Sequence, residues 1–120
     1  MEDLFSTLPI EAENFDGALE VDEKAKQISE LSKQGYALLK DNNIDEAEAT
    51  FKKILEIEDN NNYALVGLGD SARKQNHFRD AIEYYTHCLS FHPGNNYALF
   101  GLADCYRGMN QQFRSIEYWK

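Results

Sequence analysis

The sequence predicts an all-α fold of antiparallel helix pairs, and three observations support this prediction. A ten-residue segment, NNYALVGLGD, begins at Asn61 and returns as NNYALFGLAD at Asn95, thirty-four residues later. Apolar residues recur at steps of three and four between residues 28 and 120, the spacing of one face of an amphipathic helix. Short breaks rich in Asn separate these stretches. A repeat of this length is typical of stacked helix pairs.

The first 21 residues differ from the repeats in composition. Residues 1–27 hold eight acidic and two basic side chains, a net charge of −6, whereas residues 28–120 hold thirteen and ten, a net charge of −3. Pro9 and Gly17 discourage a continuous helix. We therefore expect residues 1–21 to be an acidic leader that is either mobile or docks onto a helical groove, including the groove of this chain.

The repeat domain is predicted over residues 22–120, and its first repeat covers 28–61. DNN at 41–43 breaks the first helix, because Asn and Asp favour turns. A second helix follows Asp45, and EDNNN at 58–62 ends it. These breaks predict one antiparallel pair.

The second repeat, residues 62–95, follows the same plan. Asn61 or Asn62 caps a helix that runs to about Lys74, and the short link QNH leads into a second helix. HPGN at 92–95 stops that helix, since Pro and Gly both end helices.

The third repeat, residues 96–120, is predicted to be truncated. It starts near Asn96 and ends at Lys120, midway through its second helix, of which about nine residues remain. An isolated helix needs roughly 12–15 residues to be stable. We therefore expect a piece of a longer array, whose exposed end drives self-association or is masked by the leader.

Small and large residues occupy equivalent positions in the successive pairs, which predicts close packing. Small residues let two helix backbones approach, and large ones fill the space beside them. The small residues are Gly35, Gly69 and Ala103 in the first helices, and Ala47, Ala81 and Ser115 in the second. The large ones are Phe51, Tyr85 and Trp119.

These positions follow the pattern W-x₂-L-G-x₂-Y…A-x₃-F…P. The middle copy has Leu65, Leu68, Gly69, Ala72, Ala81, Tyr85 and Pro93 there. The third has Leu99, Leu102, Ala103, Tyr106, Ser115 and Trp119, and the first has Leu31, Gln34, Gly35, Leu38, Ala47 and Phe51. The repeats therefore resemble the tetratricopeptide repeat over residues 28–120. Gln34, Ala72 and Asp59 depart from the pattern, and they weaken the first copy most.

The resemblance implies a right-handed solenoid of helix pairs, with a concave groove lined by the first helices. Members of the family usually bind peptides or proteins there and have no chemistry of their own. By matching positions, the implied groove residues are Ser29, Ser32, Tyr36, Leu39, Tyr63, Val66, Asp70, Arg73, Tyr97, Phe100, Asp104 and Arg107.

Part of this set has two interpretations. Tyr63, Asp70 and Arg73 return one repeat later as Tyr97, Asp104 and Arg107. They either form ion pairs between repeats and cover a helix start, or face a ligand as a row of aromatics and alternating charges. Some family members clamp the carboxylates of chaperone tails with Lys and Asn. The corresponding positions hold Ser32, Tyr36, Tyr97 and Gly101, so we expect no such binding.

The composition argues against several other functions. No apolar run approaches the ~20 residues that cross a bilayer, and no basic stripe suits nucleic acid. His77, His87 and His92 lack metal-ligand spacing, and no phosphate-binding loop is present, so we expect no metal, cofactor or catalysis. Cys88 and Cys105 fit apolar helix positions, which favours packing roles and a reducing compartment. With the acidic N-terminus, this points to the cytoplasm.

The function that follows is a protein-interaction scaffold whose groove holds a peptide or helix of a partner. The alternatives are a sensory or targeting domain of a larger multidomain protein, and an oligomerisation device that uses the end of the solenoid.

Overall fold

The computed structural model describes the backbone of residues 22–119 and the side chains of residues 22–111. The predictions about the leader at 1–21, and those about the packing of Ser115 and Trp119, lie outside the described residues. Residues 22–30 form the first turns of a helix, and the compact unit considered below begins at Leu31.

The described part of the chain contains five helices and no strand, which confirms the all-α prediction. They are α1 at 22–40, α2 at Ile44–Ile57, α3 at Asn62–Lys74, α4 at Phe78–Phe91 and α5 at Asn96–Trp119. Helix α3 packs against α2, α4 and α5, as expected of helix pairs that stack on their neighbours. None of the helices between residues 22 and 119 is long and apolar enough to cross a membrane.

Three asparagines with positive φ turn the chain between consecutive helices. Asn42, Asn60 and Asn76 have φ values of 68°, 59° and 62°. Among residues other than glycine, asparagine enters this left-handed region most readily, because its short polar side chain can bond locally. The breaks predicted at DNN, EDNNN and QNH are thereby confirmed, although α2 begins at Ile44.

The two copies of the repeated decapeptide start from the same kind of helix cap. The Asn61 side-chain oxygen accepts a 3.0 Å bond from the Ala64 amide, and the Asn95 oxygen accepts a 3.0 Å bond from the Ala98 amide. Each cap satisfies an amide that the first helical turn leaves unpaired. Of the two candidates at the start of α3, Asn61 is the cap.

Phe51 and Tyr85 are the largest fully buried side chains, and each lies between two glycines. A Cβ added at Gly69 would lie 2.5 Å from the Tyr85 ring, and one added at Gly101 would also overlap it. The Phe51 ring similarly lies against Gly35 and Gly67. The predicted pairs Gly35–Phe51 and Gly69–Tyr85 are confirmed.

The cysteines are also part of this core. Cys88 on α4 and Cys105 on α5 are free and fully buried, in agreement with packing roles. Burial raises the pKa of both thiols above its ordinary value, because desolvation disfavours the thiolate.

The prediction of a turn and a short second helix in the third repeat is wrong. Helix α5 continues without interruption to Trp119, and Asn110, one repeat after the turn residue Asn76, is helical. The second helix of the preceding repeat begins with Phe78, whose ring packs against Gly108 on α5. The equivalent position in the third repeat holds Gln112, whereas the first two repeats have the apolar residues Ile44 and Phe78 there.

Candidate functional site

The first helix of each repeat contributes to one concavity of about 690 Å³. Helices α1, α3 and α5 supply its walls, so the stacking of repeats creates it. The lining residues are Ser32, Tyr36, Asn62, Tyr63, Val66, Asp70, Asn95, Asn96 and Tyr97. Six of these belong to the set predicted from the sequence: Ser32, Tyr36, Tyr63, Val66, Asp70 and Tyr97.

Aromatic side chains give this concavity an accessible apolar surface. Tyr63 is 54% exposed and Tyr97 is 76% exposed. Phe100, one turn beyond Tyr97 on α5, is 70% exposed and is not part of the lining. Large apolar groups that remain accessible close together commonly mark an interaction site.

Tyr36 forms the base of the concavity and is more constrained. Its ring meets Phe51 edge-on, with ring centroids 5.1 Å apart. Burial and the nearby Asp70 carboxylate raise the pKa of Tyr36 well above its ordinary value, so its hydroxyl stays protonated and can donate a hydrogen bond.

Three asparagine amides add hydrogen-bonding capacity at the helix starts. Asn62 and Asn96 are the first residues of α3 and α5, and Asn95 is the cap of α5. A carboxamide both donates and accepts, which suits the peptide groups of an extended chain. We did not predict these residues as site residues, because the sequence presented them as helix-start signals. The available signal was that Asn62 and Asn96 occupy the same place in both decapeptides.

The predicted acidic and basic residues form a connected network across three helices. The Tyr85 hydroxyl on α4 donates to Asp70, and Arg73 Nε donates to the Tyr85 hydroxyl at 3.0 Å. Arg73 also bonds Asp70 at 3.2 Å and Asp104 at 3.3 Å, and Arg107 pairs with Asp104 at 3.3 Å. Arg73 therefore links α3 to both α4 and α5.

The network perturbs the ionisation of its buried members. Burial lowers the pKa of Arg73, but the bonds to Tyr85 and Asp70 outweigh it and raise that pKa overall. Burial and the Asp70 carboxylate raise the pKa of Tyr85. Asp70 and Arg73 thus satisfy each other and a buried hydroxyl, which matches the ion-pair interpretation of this row. Arg107, with 68% of its side chain exposed, is the most accessible member.

The predicted site residues differ in how much surface they offer. Leu39 and Val66 are 7% and 4% exposed, so they contribute mainly to the core. Leu39 borders a second, smaller concavity of about 320 Å³ together with Lys40 and Lys74. Ser29 is exposed and precedes the compact unit that begins at Leu31.

Two histidines of the second repeat have structural partners. His87 Nε2 lies 2.7 Å from the Asn60 side-chain oxygen, and His92 Nε2 lies 3.0 Å from the Asn60 carbonyl oxygen. Both hold the left-handed turn residue between α2 and α3. Among the residues that the structure describes, no group of three or more His, Cys, Asp or Glu could hold a metal ion.

Comparison with known families gives one match. The model of the tetratricopeptide repeat matches residues 32–86 and, in a second overlapping copy, residues 66–111. The two matches together include α3, α4 and most of the lining of the concavity. No curated protein matches the chain.

Proposed function

Because this chain belongs to the tetratricopeptide repeat family, whose repeats generally mediate interactions between proteins, we propose that it is a scaffold that holds a peptide or helix of a partner protein. The binding site is the concavity between α1, α3 and α5. The single observation that carries the proposal is the pair of accessible aromatic side chains that line this concavity, Tyr63 and Tyr97.

The residues of the concavity favour a ligand with apolar anchors and few charges. Aromatic side chains give large contact areas at a low entropy cost, and such residues often dominate binding energy. The amides of Asn62 and Asn96 are available for the backbone of the ligand. The nearby charges of Asp70 and Arg73 already compensate each other, so they attract a charged ligand only weakly.

We also propose that the described residues carry no catalytic activity. The family is a non-catalytic scaffold type. The perturbed tyrosines and cysteines have their causes in burial and in the ion-pair network, not in an arrangement of nucleophile, base and oxyanion donors.

The proposal is tested with aromatic truncations on one helix. Tyr97→Ala in the concavity and Tyr106→Ala on another face of α5 each remove an exposed ring, 76% and 58%. Partners recovered with the unmodified chain from a lysate of the source cells would be identified, and their affinities measured by calorimetry. We expect Tyr97→Ala to weaken binding by roughly tenfold or more, as for a binding hot spot.

Tyr106→Ala is the matched control and should bind normally. Equal affinity of all three proteins for each recovered partner would contradict the groove as the binding site. Asp70→Ala is less suitable as a probe, because it removes the acceptor of the buried Tyr85 hydroxyl and so perturbs the fold as well as the surface.

A further inference from the structure

The larger concavity and the smaller one beside it differ in the charges of their linings. Both linings include Tyr36 and Asp70. The Asp70 carboxylate is the single charged group among the residues that line the larger concavity, whereas the lining of the smaller one adds Lys40, Arg73 and Lys74. A positively charged group of a ligand is therefore favoured in the larger concavity and disfavoured in the smaller one.

One oxygen of the Asp70 carboxylate is not used by the ion-pair network. The Tyr85 hydroxyl and the Arg73 guanidinium both bond to Oδ1 of Asp70, and no bond to its Oδ2 is found among the residues that the structure describes. Asp104, one repeat later, differs in this respect, because Arg73 pairs with its Oδ2 and Arg107 with its Oδ1. Asp70 is thus the acidic residue that keeps an oxygen for a charge-assisted hydrogen bond to a ligand.

Aromatic side chains lead from the starts of the helices to this carboxylate. The exposed rings of Tyr63 and Tyr97 belong to the first turns of α3 and α5. Asp70 lies roughly 10 Å further along α3 than Tyr63, at ~1.5 Å per residue. Tyr36 lies at the base of the concavity, where burial and the nearby Asp70 carboxylate raise its pKa. A side chain that fills this space has a long apolar stem and a charged tip.

We propose that the larger concavity binds an arginine side chain of the partner's peptide, an inference that rests on the proposed function. The arginine stem lies between Tyr63 and Tyr97, and its guanidinium bonds to Asp70 Oδ2 and stacks against Tyr36. Arginine fits better than lysine because its planar guanidinium stacks on aromatic rings and is more weakly hydrated than an ammonium. Since Arg73 offsets part of the charge of Asp70, recognition acts at contact distance and not at long range.

The first test uses two capped pentapeptides that differ only in charge. One is Ala-Ala-Arg-Ala-Ala, and the other has citrulline at the centre, which has the shape of arginine without its charge. Nuclear magnetic resonance of the isotope-labelled chain measures both dissociation constants and locates the bound peptide. We expect the arginine peptide to bind at least about tenfold more tightly and to shift the amide signals of Tyr63, Asp70 and Tyr97. Equal affinities, or no shift of these signals at millimolar peptide, would overturn the proposal.

The second test compares two acidic positions that are equivalent in successive repeats. Asp70→Asn removes the charge but keeps an oxygen for the Tyr85 hydroxyl, and Asp104→Asn removes the same charge outside the concavity. Asp70→Asn should abolish the preference for arginine over citrulline, whereas Asp104→Asn should retain it. The preference is a ratio within one variant, so a partial loss of fold cancels from it. A preference that survives Asp70→Asn, or that both substitutions remove equally, would contradict the assigned site.

A third pentapeptide, with lysine at the centre, tests the choice of cation. We expect it to bind more weakly than the arginine peptide, and equal or tighter binding would overturn the assignment to arginine. These probes require no partner, so this inference and the proposed function can fail separately. Loss of partner binding in Tyr97→Ala without any preference for the arginine peptide would support the groove and refute the arginine site.

Discussion

Helices α3 and α5 begin with nearly the same ten residues, but they experience different surroundings. Leu65 is 4% exposed, and its counterpart Leu99 is 47% exposed. Val66 is 4% exposed, whereas Phe100 at the same place is 70% exposed, and Ala72 and its counterpart Tyr106 differ in the same direction, 4% against 58%. Helix α3 lies between neighbours on both sides, whereas α5 is the last helix described.

The difference shows that the decapeptide specifies a helix with several packing faces, and that neighbouring helices decide which faces are buried. A repeat cannot bury its apolar surface alone. The more exposed copy also has larger aromatic residues, Phe100 and Tyr106, where α3 has Val66 and Ala72.

The largest expected contrast is between the two equivalent leucines. Leu65→Ala should lower the free energy of unfolding by about 2–5 kcal/mol, since it leaves a cavity in the core. Leu99→Ala should cost less than about 1 kcal/mol, because about half of that side chain is already in water. Urea denaturation of both variants measures the contrast, and equal losses would show that α5 is covered as fully as α3.

A smaller effect is expected at the glycines that enclose Tyr85. Gly101→Ala should cost about 1–3 kcal/mol, because its new methyl group would overlap a fully buried ring that has no room to move. Gly94→Ala is the control, since nothing lies within 4 Å of a Cβ there and the residue does not have a positive φ. Thermal unfolding followed by circular dichroism compares them, and a neutral Gly101→Ala would refute the tight packing of α4 against α5.

The smallest effect concerns the Tyr85 hydroxyl, at a position where the first repeat has Phe51. Tyr85→Phe should cost about 1 kcal/mol at neutral pH through the lost bonds to Asp70 and Arg73. The folded state raises the pKa of Tyr85 above its ordinary 10.0, so it retains a proton that the unfolded chain releases. The contribution of this group to stability is therefore constant below about pH 10 and falls as the pH rises further.

Tyr85→Phe has no hydroxyl to ionise at this position. Its stability should therefore fall less steeply than that of the unmodified chain above pH 10. Tyr36 and the two buried cysteines have raised pKa values as well, and they contribute a decrease of the same sign in both proteins. Denaturant titrations at pH 8 and pH 11 provide the comparison. Parallel pH profiles would mean that Tyr85 ionises equally in the folded and unfolded chains.

The links and caps were predictable from the sequence because their signals are local. Asn42 and Asn76 turn the chain where the apolar spacing is interrupted, and Asn61 caps the helix that follows. The contacts of Gly67 and Gly101 were not predictable in the same way. A comparison of equivalent positions in the sequence pairs each large residue with a glycine of its own repeat. In the structure its ring also contacts a glycine of the next repeat, Gly67 for Phe51 and Gly101 for Tyr85.

The turn predicted in the third repeat shows that the thirty-four-residue period does not always predict where a helix ends. Asn110 has the residue type expected of a turn, but it lies within α5, and Gln112 stands where the first two repeats have the apolar residues Ile44 and Phe78. The residues predicted for the site also differ in their exposure. Matching positions identified the accessible Tyr97 and Phe100, but also Val66, whose burial depends on neighbouring helices that a single helix face does not reveal.

The buried thiols of Cys88 and Cys105 can be used to measure how often the helices around them separate. A thiol reagent attacks the thiolate, and burial both hides these sulfurs and raises their pKa. A reagent therefore labels these cysteines only while local unfolding separates the helices around them, so the labelling rate reports how often that opening occurs. A ligand that binds against α5 should therefore lower the rate at which Cys105 is labelled.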